Sequence, residues 1–239
     1  NWLERALDAP QAEIDALFDE LRATEAKAMP VALRQAKRRI ALITGLADLG
    51  GVWPLEKVTH VLTEFADLAV SCALRATIAS EIARGKLPGM GDADIDEAGG
   101  MTVLAMGKMG AFELNYSSDI DLICLFDETR FAPDDFHDAR ASFVRATRRM
   151  AAMLNDLTGE GYVFRTDLRL RPDPGVTPVC MAMEAAERYY ESLGCTWERA
   201  AYIKARPCAG DLNAGAKFLK TLTPFVWRKH LDFAAIQDA

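Results

Sequence analysis

Asp119 and Asp121 stand two residues apart inside an apolar run, Asp119 to Phe126, that reads as a buried strand. Side chains at i and i+2 of an extended chain leave the same face, so the two carboxylates are expected about 6.5 to 7 Å apart, with Ile120 and Leu122 entering a core. Carboxylates on a rigid strand are hard oxygen ligands suited to Mg²⁺. A third would let them hold two ions roughly 3.5 to 4 Å apart for in-line phosphoryl transfer. An Asp-x-Asp pair is also the ordinary polar face of an edge strand, so this chemistry needs support elsewhere in the chain.

The support comes from Phe164 to Pro172, FRTDLRLRP. Strand alternation sends Phe164, Thr166, Leu168 and Leu170 one way and Arg165, Asp167, Arg169 and Arg171 the other. Three guanidiniums and one acid on a single face repel unless an anion sits among them, and a phosphate held by forked guanidiniums satisfies the arrangement. The plainer alternative is a solvated face with local Asp–Arg pairs. Gly107 and Gly110, beside Lys108, free backbone amides to approach an anion. They form neither a Walker motif nor a dinucleotide fingerprint. A second basic segment, Trp197 to Pro207, reads as a helix on which Trp197, Ala201 and Lys204 share one side and Arg199, Tyr202 and Arg206 another. Spacing leaves Lys204 and Arg206 equally balanced between a functional role and a solvated face. Trp197 and the Tyr189-Tyr190 pair read as packing aromatics.

The elements that must position these residues follow from periodicity. Residues 11 to 28, 31 to 49 and 55 to 84 carry apolar side chains at three- and four-residue intervals and are expected to be amphipathic helices. Gly50-Gly51 ends one of them, and Pro54 suits the first turn of the next. Residues 85 to 100 mix glycine, proline and acids in the manner of a mobile connection, which places a boundary between a helical region, 1 to 98, and a catalytic core with C-terminal helices, 99 to 239. The acids of that connection do not follow a calcium-loop pattern. Met101 to Met106, Asp119 to Phe126 and Tyr162 to Leu170 are expected strands, and 134 to 158 a helix. Segments 182 to 193, 196 to 206, 211 to 222 and 225 to 238 again read as helical. Helices, then a small strand-rich core, then helices make an α+β architecture.

The chain has 239 residues, 35 acidic against 28 basic, and a net charge of -7, which argues against a broad basic surface for nucleic acid. Five widely spaced cysteines without a C-x-x-C pair read as reduced thiols of a cytoplasmic protein. His60, His137 and His230 are far apart, which gives no support to a zinc site or a histidine triad. No apolar stretch reaches the ~20 residues of a membrane span. Opening on Asn1 and stopping inside an apparent helix, the sequence reads as a piece of a longer protein.

Three ordered blocks carry a family resemblance: GKMGAFELNYSSDIDL at Gly107 to Leu122, FRTDLRLRP at Phe164 to Pro172, and WERAAYIKARP at Trp197 to Pro207. Together they resemble the bifunctional glutamine synthetase adenylyltransferase/adenylyl-removing enzymes. The likeness runs from about Leu33, where LRQAKRR looks like the family's helix before its catalytic core, to the C-terminus. It implies a small nucleotidyltransferase domain of the DNA polymerase beta superfamily, its mixed sheet flanked by helices. WERAAYIKARP and the ending PFVWRKHLDFAAIQD look like the adenylyl-removing half. That half uses phosphate to release ADP from AMP-tyrosyl glutamine synthetase. The alternatives are the forward reaction from ATP and a non-catalytic nucleotide-sensing module.

By the same resemblance Asp119, Asp121 and Asp167 match the family's catalytic metal ligands for Mg²⁺ or Mn²⁺. Gly107 and Ser118 match positions lining the phosphates, with Lys108 beside them. Arg169, Arg171, Lys204 and Arg206 are candidates for binding phosphate or nucleotide. Glutamine synthetase and a PII-type signal protein are the implied partners, with no nucleic acid and no membrane. One departure stands out: Asp173-Pro174-Gly175 follow Arg171-Pro172, where the family usually continues with an aromatic or small residue and glycine.

Overall fold

The computed structural model describes residues 2–227. It opens with four helices, α1 (Trp2–Asp8), α2 (Pro10–Ala23), α3 (Met29–Leu49) and α4 (Leu55–Ala83). The apolar spacing in α2 and α3 becomes one buried stripe per helix, Ile14, Leu17, Phe18 and Leu21 on α2 and Leu33, Ala36, Ile40, Ile43 and Ala47 on α3. Burial of such a stripe, more than intrinsic propensity, is what holds helices of this length in water. Residues 85–100 are tied down more than a mobile connection would be. Arg75 pairs with Asp96 at 2.8 Å, and Leu87 and Ala98 are buried in a core that also holds Ile14, Phe65, Val103 and Phe126.

The remaining elements are β1 (Met101–Ala105), α5 (Gly107–Gly110), β2 (Ile120–Phe126), α6 (Phe136–Asn155), β3 (Thr166–Asp167), β4 (Cys180–Ala182), α7 (Met183–Ser192), α8 (Thr196–Tyr202), β5 (Arg206–Gly210), α9 (Leu212–Thr221) and α10 (Thr223–Val226). The architecture is α+β, as expected. β1 lies antiparallel between β2 and β5, and β2 takes two short parallel partners on its other edge. β3 pairs with the first two residues of β2, and β4 with its last three. The sheet separates two cores. Val103, Ala105, Leu122 and Cys124 face α4 and α6, while Leu104, Met106, Ile123 and Leu125 join Tyr190, Tyr202, Phe218 and Phe225 from the C-terminal helices.

Two of the expected elements change. The third strand is two residues long, not nine, because Arg169 and Arg171 turn to local partners and the chain leaves the sheet. Residues 196 to 206 are not one helix: α8 stops at Tyr202, and Arg206 opens β5. β5 is an edge strand, where Pro207 is tolerated for want of an N–H and Gly210 adopts φ 73°, so its composition hid it. β4 carried no separate strand signal. Of the helix expected over 225 to 238, only the start lies within the described residues, as part of α10.

Candidate active site

β2 and β3 bring the three aspartates together. Asp121 and Asp167 are direct partners in the parallel ladder, and the amide of Ile120 donates to the carbonyl of Arg165 at 2.9 Å. Asp119, one residue before β2, is exposed, whereas Asp121 is half-buried. Burial pushes the Asp121 carboxyl above its ordinary range, and the charges of Asp119 and Asp167 push it further. Asp167 moves the other way, because Arg169 donates to its carboxylate through Nε, at 3.0 and 2.9 Å, and through its own backbone N–H at 2.8 Å. Asp121 on β2 thus lies among like charges, while Asp167 is already paired.

The turn after β1 closes the site from the side. Gly107 adopts φ 53°, which favours glycine, and a β-carbon there would lie 3.1 Å from Asp121 Oδ2, so a larger residue would also press on that carboxylate. Lys108 is exposed on this turn. Ser118 donates its hydroxyl to Asn115 Oδ1 at 2.9 Å and accepts the Asn115 amide at 3.1 Å, fixing the loop that leads into β2. The hard-oxygen donors and the uncompensated charge on Asp121 fit a divalent cation chemically. Among the described residues no group of three or more His, Cys, Asp or Glu side chains stands in ligating geometry. Asp167 would have to exchange Arg169 for the ion.

The basic residues do not form the single wall that alternation predicts. Arg165 donates to Ser117 O at 2.7 Å. Arg169 is exposed and covers Asp167. Arg171 donates to the carbonyls of Leu168, Pro174 and Thr177, so it holds together the turn containing the Asp173-Pro174-Gly175 departure. Lys204 pairs with Glu113 at 2.6 Å, and Arg206 with Asp67.

Residues outside the motifs also matter. Arg34, only 3% exposed, donates to the carbonyls of Pro30, Asp156 and Gly161, and Lys37 to that of Val163, so α3 clamps the segment leading into β3. Burial, with Arg165 nearby, lowers Lys37 to about 8. The cations of LRQAKRR were visible in the sequence, but the acceptors that tie Arg34 and Lys37 to the segment before β3 are carbonyls more than a hundred residues away, which carry no side-chain signal.

Residues 3–221 match the family described as glutamate-ammonia ligase adenylyltransferase. The chain belongs to this family. Among its adenylyltransferase relatives, the chain is 52% identical over 237 residues to the bifunctional glutamine synthetase adenylyltransferase/adenylyl-removing enzyme of Bradyrhizobium diazoefficiens, covering 96% of this chain and 24% of that protein. It is 50% identical over 206 residues to the proteins of the same name from Caulobacter vibrioides and Agrobacterium fabrum, covering 86% of this chain and 21% of each. The chain therefore spans about a quarter of the length of the adenylyltransferase relatives it matches. No helix among the described residues is long and apolar enough to cross a membrane.

Proposed function

We propose that this chain is a nucleotidyl-transfer domain of a longer adenylyltransferase/adenylyl-removing protein, and that it catalyses phosphorolysis of the AMP-tyrosyl bond on glutamine synthetase. A phosphate oxygen attacks the AMP phosphorus, the tyrosyl oxygen leaves, and ADP and unmodified tyrosine result. The observation that carries this reading is the meeting of Asp121 and Asp167 in adjacent register, with Asp119 two residues before Asp121, beside a glycine turn. The direction is drawn from Trp197 to Pro207, which resembles the adenylyl-removing half.

Asp119, Asp121 and Asp167 would hold Mg²⁺ or Mn²⁺, which when bound supplies positive charge for the attacking phosphate and the departing tyrosyl oxygen. The chain itself contributes position and electrostatics. The Gly107 turn presents backbone amides without a side chain in the way, and Lys108 adds a cation there. Ser118 sits in the turn that sets the entry into β2, next to Asp119 in sequence. Arg169 balances Asp167 until phosphate or nucleotide offers it another acid. No side chain is required as a covalent nucleophile. In the longer protein, a PII-type signal protein is the proposed regulator.

Two incubations test the reading: AMP-modified synthetase with phosphate and Mg²⁺, read as ADP release, and unmodified synthetase with labelled ATP, read as label on protein. ADP release that disappears in a folded Asp119→Asn/Asp121→Asn variant supports it. Label transfer without ADP release assigns the forward reaction instead. Nucleotide binding without metal dependence or turnover assigns a sensing module.

A further inference from the structure

The motif Trp197 to Pro207 ends on two cations, and the fold sends the second away from the carboxylates. Arg206 is the register partner of Ala105 across β1 and β5, and Ala105 lies in the core facing α4 and α6. Asp121 is hydrogen-bonded through its carbonyl to the amide of Met106, which belongs to the core on the opposite face. Residues paired across antiparallel strands share a face, and neighbours along a strand alternate. Arg206 and Asp121 therefore leave opposite sides of the sheet at the same end of it.

On its own side Arg206 is held through both terminal nitrogens, while its Nε is buried without a hydrogen-bond partner among the described residues. Its Nη1 and Nη2 meet the two oxygens of Asp67 on α4 at 2.8 and 2.9 Å, a forked pair, and Nη2 also donates to Met109 O at 3.0 Å. The guanidinium carbon lies 3.9 Å from the centre of the Phe112 ring. Phe112 has φ 59°, a left-handed conformation that a bulky residue adopts only when its surroundings impose it. The same ring stacks on His60 of α4 at 4.9 Å. Nearby, the Leu114 amide approaches Thr63 Oγ1 at 3.4 Å, and a β-carbon on Gly110 would fall 1.9 Å from Lys204 O. The turn that starts at Gly107, against Asp121, is thus pinned at its far end by α4 and the segment entering β5.

We infer that Arg206 is a positioning residue: it braces the Gly107–Leu114 turn from the far face of the sheet through Asp67, Met109 and Phe112, and does not itself contact the phosphate groups. The consequence for turnover rests on the phosphorolysis reading; the brace does not. The test uses Arg206→Ala, Arg206→Lys, Asp67→Asn and the Arg206→Ala/Asp67→Asn double variant, with amide hydrogen exchange and steady-state kinetics on each. Exchange at Met109 to Leu114 should quicken at least about tenfold in Arg206→Ala, with the amides of β1 and α6 unchanged. kcat for ADP release should fall by a similar factor while KM for phosphate stays within about twofold. Asp67→Asn, which alters no group on the carboxylate face, should reproduce this pattern, and the double variant should be no worse than Arg206→Ala. Unchanged exchange in the turn, or a tenfold rise in KM for phosphate at constant kcat, overturns the inference. If Arg206→Ala does not fold, Arg206→Lys and Asp67→Asn carry the same comparison. Wild-type chain without turnover in either direction sinks the phosphorolysis reading alone, because the exchange measurement still decides the brace.

Discussion

Arg169 covers both carboxylate oxygens of Asp167 from two residues away, with Nε at 3.0 and 2.9 Å from them. The pair is local, formed just past the two-residue β3, yet it decides the charge of a site assembled across the sheet. Among the described residues neither Asp119 nor Asp121 forms such an ion pair, so the three acids are unequal before any substrate arrives. Arg169 holds the place that a cation or a phosphate ester would contest.

Arg169→Ala should free Asp167. Its carboxyl, held low mainly by the hydrogen bond from Arg169, should return toward the ordinary aspartate range in a carbon-detected NMR titration. Mn²⁺ titrated into the same variant should bind about two- to fivefold more tightly than to wild type, the scale of losing an exposed ion-pair competitor. Equal or weaker Mn²⁺ binding would show that Arg169 does not compete for the site.

Asp121→Asn should stabilise the fold while removing function. Because burial and like charges raise the Asp121 carboxyl, the favourable protonated form is present at low pH and lost as pH rises through the folded value. At pH 7 the neutral amide escapes that penalty, by about 0.5–1 kcal/mol after allowing for solvent, or roughly 2 °C in Tm. The gain should shrink toward pH 4 and when Mg²⁺ is added to wild type, as followed by thermal unfolding.

Lys37 predicts a pH effect of its own. Its folded value of about 8 lies below the ordinary 10.5, so between those limits the unfolded chain binds more protons and stability rises with pH. Relative to Lys37→Met, wild type should gain on the order of 1–2 kcal/mol from pH 7 to pH 10, a figure discounted for partial exposure. Urea unfolding at the two pH values measures it, and parallel curves would deny the shift.

Gly110→Ala should be among the costliest single substitutions in the chain. The added β-carbon would fall 1.9 Å from Lys204 O and 2.8 Å from Ala105 O, both backbone atoms with nowhere to go. A loss of about 3 kcal/mol or more is expected in chemical denaturation, because relief requires moving the turn or the segment entering β5. Gly45, with nothing within 4 Å of its β-position, is the control and should accept alanine without loss.

Local order explains what could be anticipated. The stripes Ile14–Leu21 and Leu33–Ala47 and the strands around Val103 and Ile123 all follow from side-chain periods of 3.6 and 2, which need only neighbours along the chain. Arg206 shows where this reasoning stops. On a helix it would share a side with Arg199 and Tyr202, but the chain becomes an edge strand at that residue and pairs Arg206 with Asp67, 139 positions away. Pro207 and Gly210 concealed the strand, since edge pairing to β1 supplies the stability that their own propensities lack.

The amino-acid order by itself determined the α+β class, the main helices, the two central strands and the three motifs that mark the family, because each is written in residues close together in the chain. Only the tertiary structure decided that Asp167 stands in register with Asp121, that Arg169 and Arg171 serve local contacts, and that Arg206 braces the Gly107 turn from the opposite face. Those facts depend on which strands become neighbours and which face each side chain takes. That choice is made by packing the two cores against the sheet as a whole, and no local window of sequence contains it.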